Sequence, residues 1–526
     1  MVKIYAIIFF VVNCVLMGSE KGEQYKQEFA ELVEASQIVH TTYGKPVAHL
    51  PNKIGVIAGD DEIKKELIVK QAKNVHPIMH GDVPGLITNF LQHKKQYGTD
   101  KEKAVYDTIN TAPQFIKRLL TKRPLMFMSE FDVHLLKDGT LYLEQAFKPG
   151  PYPQPFELIG TNREKKPFIL NDYISYDEMA ISALIGVSVP TFFINNGRKY
   201  NNGALDKEGA YEKSGVFVGL VGARFEKLRL MEAQHMLVTK EQNTVENGYG
   251  YKNTSNSLLR IWSEFYGLSF PTYQEARDDT TGRYVWVVKE QGYLDTFVYQ
   301  KRMEMSILPF LIDANKRAQE KNTSAYCHVV GLGIGVWQID KETQVKCILR
   351  VYKDLIQNNE FKNIADIDFA WFPDESPTYN IFVNESSVKG IKIHFSKRNP
   401  ADKLTGSDEG KLLVAMYPWD ANAGPGNEYW HGDLSASMDP AAAACSTISE
   451  LQNPDINHFM IDNIENMYVG ISLLTSTDLI KAIAIANIPK MQIDSPDLPK
   501  KEINYYYYGL LLIPIFILVG LWLKKI

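Results

Sequence analysis

Apolar runs of strand length alternate with amphipathic segments of helical length in the C-terminal half of the chain. From residue 303 onward the pattern predicts, in order, a helix over 307–319, a strand over 326–339, a helix over 344–357, strands over 367–372, 379–383, 391–395 and 412–417, and a helix over 439–451. Such alternation is typical of an α/β layer architecture. In sheets of this kind, ligands bind beyond the carboxyl ends of the strands.

The N-terminal half has a less regular pattern. It predicts a helix over 20–36, helical segments within 92–120, a hairpin within 125–145, a loop over 149–155, a strand over 216–221 and a helix over 224–237. The hairpin is indicated by apolar alternation on both sides of Asp138 and Gly139, a pair that favours tight turns. We therefore expect an N-terminal helical and α+β region over residues 20–302, followed by an α/β domain over residues 303–490.

The N-terminus carries a short apolar run. Residues 4–17 follow Lys3 and precede the small residues Gly18 and Ser19, which is typical of a secretory signal peptide over residues 1–19. The alternative is an uncleaved N-terminal anchor, but the run is short for a membrane span of about 20 residues.

The C-terminus carries a second apolar run. Residues 509–523 are uncharged, four tyrosines precede them and two lysines follow them. This arrangement predicts a linker over 491–505 and a transmembrane helix over 506–523 with a cytoplasmic C-terminus. A glycolipid-anchor signal is the alternative. In either case we expect a membrane protein, single-pass if the helix is kept, whose body is lumenal or extracellular.

The bulk composition excludes some functions. The chain has 526 residues, is 45% hydrophobic and carries a net charge of −5, which suits a globular protein of more than one domain. A mildly acidic balance argues against nucleic acid as the partner, because a phosphate backbone needs a basic surface. Beyond Cys14 in the signal, Cys327, Cys347 and Cys445 are an odd number and cannot all pair internally. No spacing resembles a zinc site, so we predict neither a metal nor a cofactor.

The predicted loop after the strand over 412–417 concentrates the side chains that suit chemistry. Glycines and prolines interrupt regular structure there, and loops on a rigid scaffold often carry binding and catalytic residues. Backbone N–H groups suit an anion, tryptophans suit stacking on a flat ring, and carboxylates suit acid, base or hydroxyl contacts. The candidates are Trp419, Asp420, Asn422, Gly424, Gly426, Asn427, Glu428, Trp430 and, near the next helix, Asp439. The combination favours a nucleotide-like or sugar-phosphate ligand.

Each carboxylate also has a structural interpretation. Asp439 precedes Pro440, where aspartate commonly caps a helix, and Asp420 and Asn422 suit Asx-turns. For any one of them alone, capping is the simpler interpretation. However, four carboxylates lie within twenty residues, interleaved with two tryptophans, and this density favours a site instead; they are Asp420, Glu428, Asp433 and Asp439.

Two further features are ambiguous. Gly331, Gly333 and Gly335 do not match the dinucleotide-binding fingerprint. They indicate either a strand that other backbones approach closely or a turn whose N–H groups line up on an anion. Arg224 suits a phosphate contact, and a structural ion pair with Glu226 is the alternative.

Three stretches, residues 330–338, 419–430 and 437–447, together resemble the MavL-like family, known from Legionella effectors. The resemblance implies a macrodomain-like mixed sheet flanked by helices. It also implies ADP-ribose binding and, in the characterised effectors, removal of ADP-ribose from modified ubiquitin. The matching acidic positions are Asp420, Glu428 and Asp439. The predicted secretory address departs from that pattern, because ubiquitin is a cytosolic substrate.

The expected function is hydrolysis of a glycosidic ADP-ribose linkage on a modified protein, with the three matching carboxylates as catalytic candidates. The predicted ligand-binding residues are Arg224, Gly331, Gly333, Gly335, Trp419, Asn422, Gly424, Gly426, Asn427 and Trp430. The diphosphate would lie against the glycine residues, and either tryptophan would stack on the adenine. Two alternatives are a non-catalytic ADP-ribose reader and a membrane-tethered ectodomain that binds a glycan or a protein.

Overall fold

The computed structural model describes residues 23–128, 133–142, 155–253, 257–372, 381–382, 387–420, 422–462 and 464. The chain divides into two units, Met1–Ala486 and Asn487–Ile526, and every described residue belongs to the first. The strands, in chain order, are β1 (His76–Ile78), β2 (Met126–Met128), β3 (Val133–Leu135), β4 (Leu141–Tyr142), β5 (Gly186–Phe192), β6 (Ser214–Leu220), β7 (Leu237–Val238), β8 (Tyr284–Val287), β9 (Gly292–Asp295), β10 (Ala325–Val329), β11 (Ile364–Ala370), β12 (Ser387–Val388), β13 (Ile391–Ser396) and β14 (Leu412–Pro418).

Helices make up most of the remaining regular structure. They are α1 (23–42), α2 (Ile54–Ala58), α3 (Glu62–Lys73), α4 (Val83–Tyr97), α5 (Asp100–Tyr106), α6 (Ala112–Thr121), α7 (Tyr176–Ser182), α8 (Ala233–Met236), α9 (Leu258–Tyr266), α10 (Tyr273–Arg277), α11 (Thr296–Glu320), α12 (Lys341–Asn358), α13 (Met438–Ala444), α14 (Ile448–Leu451) and α15 (Phe459–Asp462). Short 3₁₀ helices cover Lys45–Val47, Pro155–Leu158, Gly406–Asp408 and Asn427–His431.

An eight-stranded sheet lies at the centre, in the order β1-β5-β6-β14-β10-β11-β13-β12. Strands β6, β14, β10, β11 and β13 are parallel to one another, whereas β1, β5 and β12 pair antiparallel. Every residue of β10 is buried, as expected for a parallel strand that is covered on both faces. The predicted mixed α/β class is confirmed.

Two residues of β5 show that helices cover both faces of this sheet. Ser188 and Thr191 are an odd number of positions apart, so their side chains point to opposite faces. The Ser188 hydroxyl donates to Asp313 of α11 at 2.6 Å. The Thr191 hydroxyl meets that of Thr447, just before α14, at 2.7 Å. The sheet is therefore flanked by helices, as the family resemblance implies.

The parallel strands bring three distant segments to one edge of the sheet. Residues 221–226 follow β6, residues 330–335 follow β10, and residues 419–437 follow β14, which lies between those two strands. We call residues 419–437 the acidic loop. Because the three strands run in the same direction, all three segments leave from their carboxyl ends, where ligands bind in such sheets.

The sheet also takes strands from both sides of residue 303. Strand β6 belongs to the predicted N-terminal region and pairs with β14 of the predicted α/β domain, with Leu220 opposite Pro418. The division of the chain into domains at this residue stays a prediction. The hairpin predicted around Gly139 is present as the antiparallel strands β3 and β4.

Three element predictions need correction. The strand predicted over 326–339 ends at Val329, because the glycines beyond it turn the chain, with φ at +69° for Gly333. The helix predicted over 224–237 is reduced to α8, since Arg229 and Met231 have positive φ angles that an α-helix does not allow. The helix predicted over 439–451 begins at Met438 and is split into α13 and α14. Most of the strand predicted over 379–383 lies outside the described residues.

The predicted signal peptide over 1–19, the linker over 491–505 and the transmembrane helix over 506–523 all lie outside the described residues. Within the described ranges, no helix combines the length and the apolar character needed to cross a membrane.

Candidate active site

Asp439 fixes the acidic loop against the start of α13. It is the second residue of that helix, whose N-cap is Ser437. The Asp439 Oδ1 atom accepts a hydrogen bond from the backbone N–H of Gly426 at 3.0 Å. Its Oδ2 atom accepts one from the backbone N–H of Asp420 at 3.4 Å. Asp439 therefore does not act as the N-cap of its own helix; its carboxylate ties two points of the loop together.

Asp420, Glu428 and Asp439 form a buried group, which we call the carboxylate trio. Only 7%, 6% and 4% of their respective surfaces are exposed. Burial raises the pKa of Asp420 to about 6, opposed by the charge of Arg224. Burial, together with the charges of Asp420 and Asp433, raises the pKa of Glu428 to about 7. The pKa of Asp439 is raised well above its ordinary range by burial and then by the charge of Glu428.

The charges of the trio act on one another. Asp420 raises the pKa of both Glu428 and Asp439, and Glu428 raises that of Asp439. A carboxylate beside a second carboxylate gives up its proton less readily. The site can therefore hold or release protons near neutral pH, which is the property that a general acid or base needs.

Short-range contacts set the shape of the acidic loop. The backbone N–H of Asn422 donates to Asp420 Oδ1 at 3.1 Å, so the predicted Asx-turn is present. Asn427 Oδ1 accepts a hydrogen bond from the backbone N–H of Phe127 in β2 at 2.9 Å. The Ser437 hydroxyl donates to Glu428 at 3.4 Å. The two asparagines are thus used to shape and anchor the loop.

Arg224 brings a positive charge to the trio from the segment after β6. It is buried, and its Nε donates to the carboxylate of Glu226. Its guanidinium lies 4.9 Å from the ring centroid of Phe127 and 5.7 Å from that of Trp337. The predicted structural pair with Glu226 is present, and Arg224 also lowers the pKa of Asp420, so it lies within electrostatic reach of the trio.

The glycine turn, residues 330–335, packs directly on the segment after β6. A Cβ atom added to Gly222 would lie 2.2 Å from the backbone nitrogen of Gly333, which no structure tolerates. An added Cβ at Gly331 would clash with Ile334, whereas one at Gly335 would meet no atom within 4 Å. Among the described residues, the N–H groups of Gly333 and Gly335 have no hydrogen-bond acceptor. The close approach of backbones at this glycine run is therefore confirmed. The binding of an anion by its N–H groups stays a prediction.

The N–H groups of the glycines in the acidic loop, in contrast, already have acceptors. The backbone N–H of Gly424 donates to the carbonyl of Pro124 at 2.9 Å. That of Gly426 donates to Asp439. Neither N–H is left for an anion, so these two glycines support the loop itself.

The two tryptophans lie beneath the loop. Trp430 is 0% exposed, its Nε1 donates to the carbonyl of Pro425 at 3.1 Å, and its ring meets that of Tyr43 edge-on. Trp419 is also buried, with the Arg123 guanidinium 4.5 Å from its ring centroid. The cavity beside them measures about 20 Å³, room for about one water molecule. Their positions favour packing over stacking on a ligand ring.

Two other reactive side chains near the loop, His431 and Cys445, have structural surroundings. His431 Nδ1 pairs with Asp433 at 2.7 Å on the outside of the loop. Cys445 is buried at the end of α13 and, like Cys327 and Cys347, carries a free thiol. Within the described residues, no three histidine, cysteine or acidic side chains are placed to hold a metal ion.

Three neighbours of the site were not predicted from the sequence: Phe127, Trp337 and Arg123. Glu226 was predicted only as a partner of Arg224. Trp337 lies directly after the glycine turn, and this position is a local signal for it. Arg123 and Phe127 gave none, because their proximity to the trio depends on contacts between segments about 300 residues apart.

Known proteins share sequence with most of this chain. Residues 49–478 match the model of a family described as ADP-ribosylhydrolase MavL-like. The chain is 36% identical over 440 residues to the ADP-ribosylarginine hydrolase CG3568 of Drosophila melanogaster, covering 79% of this chain and 81% of the relative. It is 33% identical over 408 residues to the ADP-ribosylarginine hydrolase CG2909 of the same organism, covering 74% and 78%.

Proposed function

Because this chain belongs to the MavL-like family of ADP-ribosylhydrolases, we propose that it hydrolyses the bond between ADP-ribose and an arginine side chain of a modified protein. The observation that carries the proposal is the carboxylate trio, buried and mutually interacting at the carboxyl edge of the parallel strands. The names of the two fly relatives support the arginine linkage.

The chemistry of this bond requires a base more than an acid. Cleavage at the anomeric carbon passes through an oxocarbenium-like state that carries positive charge. The C–N bond electrons leave with the guanidine nitrogen, and water supplies the new C–O bond. The proton that water loses ends on the released guanidine, which is strongly basic. A carboxylate that takes up this proton and passes it on would accelerate the reaction.

Glu428 suits the role of that base. Its pKa of about 7 means that a substantial fraction is deprotonated at neutral pH, while its affinity for a proton exceeds that of an ordinary carboxylate. Asp420, with a pKa of about 6, would remain charged and stabilise the positive sugar. Both Asp439 oxygens already accept backbone hydrogen bonds, so we assign Asp439 a positioning role.

The rest of the ligand would lie along the same edge. Arg224 is the cation that acts on Asp420 most strongly, and a guanidinium suits the oxygens of a diphosphate. The N–H groups of Gly333 and Gly335 would complete the anion site. Trp337 lies beside Arg224 and is only partly buried, which favours it over Trp419 and Trp430 as a ring for the adenine.

A panel of linkages tests the proposal. Peptides carrying ADP-ribose on arginine, serine or glutamate would be incubated with the purified protein, and released ADP-ribose would be measured by liquid chromatography. We expect release from arginine. Tight binding of ADP-ribose by calorimetry without release from any peptide would instead identify a reader, and absence of binding would reject the ligand class.

A further inference from the structure

Glu226 is a fourth carboxylate at the edge of the carboxylate trio. It lies two residues beyond Arg224 and accepts a hydrogen bond from the Arg224 Nε. Its side chain is 23% exposed, in contrast to the buried trio. It is therefore placed where a group on the surface of a bound protein can reach it.

Three contacts place Glu226 close to the reacting groups. The backbone N–H of Trp419 donates to the carbonyl of Leu220 at 2.8 Å, which holds the start of the acidic loop beside the segment that carries Glu226. Arg224, its partner, packs on Phe127, and the N–H of Phe127 donates to Asn427, next to Glu428. The charge of Glu226 also raises the pKa of Asp420.

The charges of the Arg224–Glu226 pair match those of an arginine conjugate. ADP-ribosyl-arginine carries a negative diphosphate at one end of the ribose and a positive guanidinium at the other. A guanidinium binds diphosphate oxygens, and a carboxylate binds a guanidinium in a planar, paired arrangement. Serine or glutamate conjugates bring the same diphosphate but no positive charge at the linkage.

Within the proposed function, we infer that Glu226 receives the guanidinium of the modified arginine when Arg224 turns to the diphosphate. Glu226 then distinguishes the arginine linkage from oxygen linkages. Its present contact with Arg224 shows that it already accepts hydrogen bonds from a guanidinium. The exchange of partners keeps each charge neutralised before and after the ligand binds.

Calorimetry on three proteins tests this inference. All three carry Asp420→Asn to prevent turnover. One has no other change, one also carries Glu226→Gln, which keeps the shape of the side chain, and one also carries a control substitution. We expect Glu226→Gln to weaken the binding of an ADP-ribosyl-arginine peptide about tenfold to hundredfold, as for a lost hydrogen bond to a charged group. The Kd for free ADP-ribose should be unchanged or lower, because Arg224 is released from its partner.

Glu264→Gln is the matched control, since Glu264 pairs with Arg260 on the exposed surface of α9 at 2.9 Å. It should leave both Kd values unchanged. Equal weakening of both ligands by Glu226→Gln would show that Glu226 only holds Arg224 in place, and would overturn the inference, as would no weakening of the peptide. Selective weakening by Glu226→Gln, together with no release of ADP-ribose by the native protein, would uphold Glu226 as the guanidinium ligand while rejecting hydrolysis.

Discussion

The carboxylate of Asp439 accepts a hydrogen bond from the backbone N–H of Gly426, 13 residues earlier, at 3.0 Å. Its other oxygen accepts one from the N–H of Asp420. One side chain thus sets the distance between the loop that carries Asp420 and the helix that follows Glu428. The geometry of the whole site depends on it.

Asp439→Ala should therefore disable catalysis more than folding. Displacement of Asp420 and Glu428 by even a small distance is expected to lower kcat by about a hundredfold or more. Loss of the two hydrogen bonds destabilises the protein, but removal of a buried carboxyl offsets part of that loss. Steady-state kinetics and thermal unfolding measure the two effects.

Asp455→Ala is the control for this substitution. It removes a half-exposed pair with Lys137 and should retain activity. Full activity of Asp439→Ala would refute the positioning role.

The rate should depend on pH through Glu428. If its deprotonated form is the base, kcat/KM rises with pH and reaches a plateau above about 7, where its pKa lies. Glu428→Gln should remove that rise along with nearly all activity. A rate that is constant between pH 5 and pH 8 would show that Glu428 is not the base.

The same group should make the protein less stable as the pH rises. The pKa of Glu428 is about 7 in the folded protein, against an ordinary value near 4.5, so the native state binds a proton that the unfolded chain releases. The stability that the protonated Glu428 contributes is therefore fully present below pH 4.5, and this contribution is lost as the pH rises through about 7. At pH 8 we expect Glu428→Gln to be more stable than the native protein, by up to about 3 kcal/mol. Urea unfolding at pH 5 and pH 8 measures the difference, and equal stability of the two proteins at pH 8 would contradict it.

Two glycine-to-alanine substitutions, one facing the glycine turn and one within it, differ in whether the added methyl group meets a neighbouring atom. Gly222→Ala places a methyl group against the backbone of Gly333, so the two loops must separate. We expect ADP-ribose binding to weaken at least about tenfold, with loss of activity, as for an overpacked site. Gly335→Ala meets no neighbour and should change the Kd by less than a factor of about two. If both variants bind ADP-ribose as the native protein does, the turn has no part in the ligand site.

Substitution of Trp430 should lower the stability of the protein without changing its affinity for ADP-ribose. Its ring is enclosed by Tyr43, His40 and Tyr429. Trp430→Phe removes buried volume and the hydrogen bond to Pro425, and should lower the free energy of unfolding by about 1–3 kcal/mol. The Kd for ADP-ribose, measured well below the Tm, should stay unchanged. A large increase in Kd at unchanged stability would instead place this ring against the adenine.

Much of the architecture could be predicted from local patterns. The apolar runs around Val414 and Ile367 and the amphipathic period of α12 are encoded within single elements, so the α/β class and most element positions followed from the sequence. The acidic loop could be recognised for two reasons. Its glycines and prolines interrupt regular structure, and its carboxylates have no place in a hydrophobic core. Asp420, Glu428 and Asp439 lie within twenty residues of one another, so local sequence was enough to place them in one segment.

What the sequence could not provide depends on contacts between distant segments. Nothing near β6 indicates that it pairs with β14, about 200 residues later, and thereby brings Arg224 and Glu226 to Asp420. The burial of Trp430 depends on Tyr43, which directly follows α1. Whether a loop N–H is available for a ligand depends on acceptors such as the Pro124 carbonyl, which local spacing does not reveal.

Release of ADP-ribose from an arginine-linked peptide, compared between the native protein and Asp420→Asn, tests the central role of the carboxylate trio most directly. The substitution keeps the size of the side chain and the acceptor for the Asn422 N–H, while it removes the charge. We predict that the native protein releases ADP-ribose and that Asp420→Asn releases it at least about a hundredfold more slowly while still binding it. Equal rates for the two proteins would contradict the proposal that this buried trio carries out the hydrolysis.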